Sequence, residues 1–363
     1  MLILFAVLLL GLSIYSYVLI DPNLTLINAS WWVSFRDPLV YFGYYQRLHS
    51  TVTYIFIIIF LFFFHWYFVK YYKKYSGLKL VILITVILVL AYPFLSHDFF
   101  NYIFDAKILT FYGDNPYTHM PGNYPDDKWL RFMHWTHRSY PYGPVFLPLT
   151  LVPSFFAFGK FILNFLFFKV LNFIFYGAGI YFLNKMNKKW SIIFATNPLV
   201  IIEGLVNAHN DLIAVVLGII GIYLLQKKRS VVSRILLITS AGIKYLTFPI
   251  VFIVKNSKSN INYVVFFLQT VLFIYMFFNG GVQPWYFLAA FLFLPYYPNL
   301  IQKLNIFFLC LLLSYYPFIR FGNWDQIWMK EYIILLGFIL TIVYLIVSEK
   351  LLSHFYKRKF FNT

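Results

Sequence analysis

The side chains capable of acid–base or ligand chemistry are few in this 363-residue chain, and they are gathered rather than scattered. Five of its twelve carboxylates (Asp98, Asp105, Asp114, Asp126, Asp127) and four of its eight histidines (His97, His119, His134, His137) fall within residues 95–146. Asp98 follows Ser96 and His97 where an apolar run meets a polar one. A carboxylate partly buried at that boundary has a raised pKa, which suits a general base. An Asp placed before the amphipathic run 99–110 is equally what a helix N-cap looks like. A second cluster (Glu203, Asn207, His209, Asn210, Asp211) stands between two apolar runs, with more polar side chains than a two-helix turn needs. His209 and Asp211 are of metal-ligating type, but no further His or Cys stands at ligand spacing, so a metal is the minority reading. Lys244 lies amid apolar residues, where an unpaired ammonium is costly. It either snorkels or holds an anion, and a phosphate at the outer membrane face would account for it. The single cysteine, Cys310, sits in an apolar run and reads as packing.

The elements that must position these residues are apolar. At 61% hydrophobic and 11% charged the chain reads as a polytopic membrane protein with no soluble domain. The net charge of +17 does not point to nucleic acid, because the basic residues sit in short clusters between apolar runs instead of on one solvated patch. The expected fold is all-α, a single domain over residues 1–363, with about twelve spans at roughly 20 apolar residues each. Residues 1–20, read as a retained first helix, 52–69 and 80–96 are the first three, and the four lysines of 70–79 place that link on the cytoplasmic side. Trp31 and Trp32 then belong to an outer interfacial belt.

Residues 97–143 form an extracytoplasmic loop. Segment 144–159, short and containing Pro148 and Pro153, reads as interfacial or re-entrant, because a crossing there would carry Lys185, Lys188 and Lys189 outside. Helices 161–184, 190–207 and 211–226 follow. Residues 235–254 read as two short helices meeting near Lys244 and Tyr245, which keeps Lys255, Lys258 and the final Lys357, Arg358 and Lys359 inside. Helices 261–278, 285–297, 306–317 and 333–347 complete the set, with both termini cytoplasmic. Every carboxylate but Glu349 then lies at or beyond the outer end of a helix, a segregation that topology does not force and that points to chemistry at the outer face.

Two corners carry turn chemistry: Gly113-Asp114-Asn115-Pro116-Tyr117 and Tyr140-Pro141-Tyr142-Gly143-Pro144. Four stretches, LSHDFFNYIFDAKILTFYGDNPY, SYPYGPVF, NPLVIIEGLVNAHNDLIAVVL and GIKYLTFP, together resemble the polyprenol-phosphate-mannose-dependent α-mannosyltransferases of the GT-C superfamily, of the bacterial lipomannan-type α-1,6 kind. The resemblance spans roughly residues 91–249. It implies that Asp98 is the catalytic base, and that Asn115, Pro116 and Tyr117, then Tyr142, Gly143 and Pro144, then His209, Asn210 and Asp211 stand at family motif positions. His97 stands where such proteins often carry Arg, and the C-terminal third holds no matching motif.

The expected function is transfer of a sugar, mannose by the resemblance, from a polyprenyl-phosphate-linked donor to a glycan or glycolipid acceptor at the outer face of a bacterial cytoplasmic membrane. A nucleotide-sugar enzyme would need a cytoplasmic domain for the diphosphate, and the chain has none. Asp98 would deprotonate the acceptor hydroxyl, which displaces the phosphate with inversion. A phosphate leaving group needs no general acid, and with one phosphate leaving a divalent metal is possible but not required. Lys244, with Arg138 or His209, would hold the phosphate, while Tyr102, Asn115, Tyr117, Tyr142, Glu203, Asn210 and Asp211 complete the donor and acceptor contacts. No cofactor is expected, and the partners are the lipid donor, the acceptor and membrane lipids. The alternative, a transporter or flippase of lipid-linked sugars, would place its polar groups and broken helices at the bilayer midplane instead of at one face.

Overall fold

The computed structural model of the chain describes residues 1–22, 24, 26, 27, 29–279 and 281–360, the last twelve by backbone alone. Among these residues the secondary structure is entirely helical. Helices satisfy every backbone N–H and C=O within one segment, which is what an apolar solvent demands. α1 (Leu2–Tyr15) runs on through a tight turn to Leu19 and is followed by α2 (Ser30–Tyr45) and α3 (Arg47–Lys70). α2 lies between the expected helices 1–20 and 52–69; its Trp32 is buried against Tyr17 while Trp31 is exposed.

α4 (Gly77–Leu88) is shorter than expected, since the helix read over 80–96 stops at Leu88. Pro93 explains the stop, because it has no N–H to donate and biases Tyr92 towards extended geometry. The chain then reaches α5 (Asp98–Lys107) through an irregular buried segment. His97 takes the N-cap position and Asp98 is the first helical residue, with no side-chain cap hydrogen bond. The N-cap reading of Asp98 is therefore corrected, and its carboxylate is left over for other use.

α6 (Phe146–Phe156) is the short apolar helix expected within 144–159, and α7 (Phe161–Met186) is a long one. α8 (Lys188–Thr196) and the π-helical turn Val200–Val206 meet at a bend of 68°. Pro198 supplies no N–H at that bend, and Asn197 fills the gap by accepting from the Leu199 amide at 2.9 Å and donating to Asn305 at 3.1 Å. α9 (Asp211–Gln226) lies against α7 and α10 (Ser230–Ile243). α10 ends where the sequence put the break: Lys244 is extended (φ −137°, ψ 109°), and a 3₁₀ run, Tyr245–Phe252, carries the chain on.

α11 (Asn260–Asn279) is followed by a buried 3₁₀ run, Pro284–Phe293, where an ordinary helix over 285–297 was expected. α12 (Pro298–Lys303), α13 (Asn305–Leu313), α14 (Tyr316–Phe321) and α15 (Ile327–Phe360) end the chain, α13 packing on α15. The side chains of Glu349, Lys357, Arg358 and Lys359, expected on the cytoplasmic face or at its helix end, lie outside the described residues.

Among the described residues five helices are long and apolar enough to cross a membrane: Leu2–Leu19, Arg47–Lys70, Phe161–Met186, Asn260–Asn279 and Ile327–Ser348. The bent pair makes a sixth if it counts as one span. Other expected crossings fall on apolar helices of 10–17 residues, such as α4, α9 and α10. The spans differ in how much protein surrounds them. Within Leu2–Leu19 44% of the window is buried, whereas in Asn260–Asn279 and Ile327–Ser348 it is 17%. The core is built by α1, α3, α4 and α7–α10 together with the buried α5, the 200–206 turn and the 284–293 run, and the polar cluster lies among them.

Candidate active site

α5 sets the base of the site. Asp98, Asn101, Tyr102 and Asp105 are spaced i, i+3, i+4, i+7, which puts them on one face of the helix. Two turns separate the carboxylates, roughly 10 Å along the axis at 1.5 Å per residue. The Tyr102 hydroxyl approaches Asn210 Oδ1 at 3.4 Å, and its ring packs edge-on against Tyr142 at 4.8 Å. This joins three stretches far apart in sequence: the loop helix, the Tyr-Gly-Pro corner and the His-Asn-Asp turn.

Gly143 explains why the corner can dock. A Cβ there would lie 1.9 Å from the Gly242 carbonyl oxygen, so only glycine lets the backbone approach α10 this closely. The Val145 amide donates to that same Gly242 oxygen at 3.2 Å. The corner is thereby fastened two residues before Lys244.

The second cluster owes its shape to backbone strain and a buried prop. Ala208 is held at φ 55°, in the left-handed region that L-residues avoid. The turn brings Asn207 and His209 to the same oxygen of Glu203 and leaves the other ring nitrogen of His209 facing Asp98. Asn207 Nδ2 donates to Glu203 Oε2 at 3.0 Å, while His209 Nδ1 faces Asp98 Oδ2 at 3.8 Å and its Nε2 faces Glu203 Oε2 at 3.5 Å. Lys169, fully buried in α7, donates to the carbonyls of Leu205 and of Val206, the latter at 2.9 Å, and fixes the turn from behind. Lys244 forms an ion pair with Asp211 at 2.8 Å and lies over the Tyr286 ring at 5.2 Å. It is not an isolated ammonium.

The C-terminal third closes the other side. Trp285 stacks on His209 at 4.0 Å and 16° between planes. Tyr315 adjoins Glu203, and buried Lys330 donates to Gln283 at 2.6 Å within electrostatic reach of Glu203.

Burial sets the charge states in the loop. The Asp98 carboxyl is pushed above its ordinary value by desolvation, against the pull of Lys244 and Arg138. Asp105 is pushed up to about 8 by burial, offset in part by Arg138. His97 is pushed down to about 3 by burial and by its neighbour His134, whose ring lies 3.9 Å away. A fold of the loop is held by Asp127, which accepts from Lys107 at 2.5 Å, from Tyr112 at 2.7 Å and from the Trp129 amide at 2.9 Å.

Several buried polar atoms here have no hydrogen-bond partner within the protein: Arg138 Nε, the Tyr140 and Tyr142 hydroxyls, Asn210 Nδ2 and both His209 ring nitrogens. Buried polar groups are normally paired, so a concentration of unpaired ones around a carboxylate is what a polar, hydroxyl-rich ligand would satisfy. The arrangement can accept a proton at Asp98 and place cationic groups, Arg138 and Lys244, beside it. Among the described residues no group of three or more His, Cys, Asp and Glu side chains is arranged to hold a metal ion.

Of the residues singled out from sequence, Asp98, Tyr102, Arg138, Tyr142, Glu203, His209, Asn210, Asp211 and Lys244 are brought together. Asn115 and Tyr117 are exposed in their turn, where Asn115 Oδ1 accepts from the Tyr117 amide at 3.0 Å and Tyr117 packs on Tyr140 at 5.1 Å. Sequence reasoning missed Asp105 as a site group, although its i+7 spacing from Asp98 was legible. It also missed Trp285, Tyr286 and Tyr315, for which the only signal was Gln283-Pro284-Trp285-Tyr286 opening an apolar run.

A family model described as alpha-(1->6)-mannopyranosyltransferase, N-terminal domain, matches residues 25–256. That range contains every residue of the cluster from Asp98 to Lys244 and stops before Trp285. No curated protein and no solved structure matches the chain.

Proposed function

The chain belongs to the alpha-(1->6)-mannopyranosyltransferase family, and on that premise we propose that it transfers mannose from a polyprenyl-phosphate-linked donor to a glycan or glycolipid acceptor at the outer face of the membrane. Both termini then lie on the cytoplasmic side, residues 97–143 outside, and the short apolar helices, with the irregular segments that extend them, complete about twelve crossings. The observation that carries the reading is the partly buried Asp98, with cations beside it and unpaired donors around it.

Asp98 removes the proton of the acceptor hydroxyl as that oxygen attacks C1 of the sugar, and the C1–O bond to phosphate breaks on the opposite face. One carboxylate suffices, since phosphate leaves without protonation, unlike the leaving groups of inverting hydrolases. Arg138 and Lys244 stabilise the charge that develops on the phosphate. Asp211 meanwhile keeps Lys244 in place, because a buried ammonium without a counter-charge would be costly. Tyr102, Tyr142, Asn210 and Asp211 meet the sugars, and Asn115 and Tyr117 extend the site towards water as acceptor contacts.

The test is transfer in proteoliposomes from a radiolabelled short-chain polyprenyl-phosphate mannose. The expected product is a new glycoside, lowered roughly 10²- to 10⁴-fold by Asp98→Asn, the range that acid–base groups contribute. Movement of label across the bilayer with no glycoside formed would instead identify a flippase. More than about a tenth of the rate surviving in Asp98→Asn would remove Asp98 from the role of base.

A further inference from the structure

Glu203 is a fully buried carboxyl on the π-helical turn Val200–Val206, with Oε2 held by Asn207 and the Tyr315 side chain beside it. Burying such a group is costly unless something answers its charge. Asn207, Tyr315 and Lys330 answer it in part, and beside them lies the His209 imidazole, held by three backbone restraints and one ring contact. Its own amide donates to the Glu203 carbonyl at 3.0 Å, Ala208 before it is held in left-handed backbone, Lys169 fixes the preceding carbonyls, and Trp285 stacks across its face. So held, its two nitrogens point at two different carboxylates, Nδ1 at Asp98 and Nε2 at Glu203. Neither nitrogen has another partner. Separations of 3.8 and 3.5 Å are longer than hydrogen bonds, as is common between catalytic groups before substrate binds.

We propose that Asp98, His209 and Glu203 form a proton relay, in which Glu203 is a positioning residue that fixes the imidazole with its proton on Nε2 and its bare Nδ1 facing Asp98. The inference rests on the mannosyl-transfer reading of Asp98. The acceptor O–H bond breaks and its electron pair forms the bond to C1, while the C1–O electron pair leaves with the phosphate. The proton passes to Asp98 Oδ2 and from there to His209 Nδ1. The resulting imidazolium lies between the two carboxylates until Asp98 returns the proton to water at the outer face. The base is thus restored without a second acid in the loop.

The charged groups facing the ring are Asp98 from α5, Glu203, Asp211 from α9 and Lys244 after α10. Arg138 and His134 bear on Asp98, and Lys330 bears on Glu203. All of them except Glu203 itself remain in a Glu203→Gln variant, which keeps the side chain's shape and deletes that one charge. That variant should lose roughly tenfold to hundredfold in kcat, a part of what acid–base catalysis contributes in full, with KM for the lipid donor unchanged. The acid limb of its pH profile should move to lower pH, because the Asp98–His209 pair loses a neighbouring anion that favours protonation.

Combined with His209→Asn, Glu203→Gln should cost nothing further, since it acts only through the ring. A loss equal at every pH, or losses that multiply in the double variant, would overturn the relay. Nitrogen NMR of the wild-type protein, with the His209 signals assigned by their disappearance in His209→Asn, tests the same point without relying on Glu203→Gln folding. A neutral ring protonated on Nε2 is expected, and one protonated on Nδ1 would overturn the proposal. A wild-type protein that transfers no mannose would fail the functional reading instead, and the ring tautomer would still stand as a separate result.

Discussion

Asp98 and Asp105 share one helix face and burial raises both, but Asp98 is pulled back by Lys244 as well as Arg138, whereas Asp105 has only Arg138 to offset burial and is pushed further by Asp98. Asp105 has a folded pKa near 8 against about 3.9 in an unfolded chain, so between those values the native state holds one proton more than the unfolded state. Stability therefore falls as pH rises across that window, by at most about 1.4 kcal/mol per pH unit. Asp105→Asn keeps the shape and removes the titration, so its melting temperature should decline less than that of wild type between about pH 5 and pH 8. Parallel melting curves would show that Asp105 is already ionised in the folded loop. At this scale the sequence singled out Asp98 from its place at a polar boundary and His209 from the density of polar residues around it, and the fold brings the two within 3.8 Å. It did not identify the partner of Lys244, because an ion pair between a helix start and a helix end 33 positions later has no local signature.

The elements around the site depend on two departures from regular helix. One, the break at Lys244, was legible because an ammonium and Pro249 interrupt an otherwise continuous apolar run. The other, the approach of the Tyr-Gly-Pro corner to α10, was not, since a glycine in a turn says nothing about what will pass beside it. Gly143→Ala tests that approach. With Gly242's oxygen 1.9 Å from the new carbon, the corner has to lift from α10, at a cost of about 1–3 kcal/mol as for other overpacked sites, and Tyr142 should lose its packing on Tyr102. Transfer activity should fall well beyond what the lost stability explains. Wild-type activity in Gly143→Ala would mean that the corner is not needed for the site. The early end of α4 was misread for a related reason: hydropathy continues through Ala91 to Leu95, and only Pro93 marks that the helix has stopped.

Across the whole molecule, composition was enough for an all-helical chain of apolar segments, and the spacing of lysines supplied the proposed orientation. Orientation can be measured directly. Cysteine at Tyr117 should react with an impermeant reagent from outside, and cysteine at Ser259 only after permeabilisation. Outside labelling at Ser259 would reverse the order of the later helices. Hydropathy could not tell which apolar helices are wrapped by protein and which by lipid, because both read alike. That difference has a practical side. α11 and the first part of α15 keep only 17% of their windows inside the protein, so their seats are set largely by whatever surrounds the molecule. Solubilisation replaces that surrounding material with detergent, and segments with few protein neighbours open at lower free energy than the core. Between those two helices lie Trp285 and Tyr315, the partners of His209 and Glu203 from outside the family's matched range. A purified preparation can thus keep its folded core, with Tyr315 buried inside it, while α11 and α15 shift beside the proposed site, and the phospholipid carried through purification becomes a determinant of specific activity.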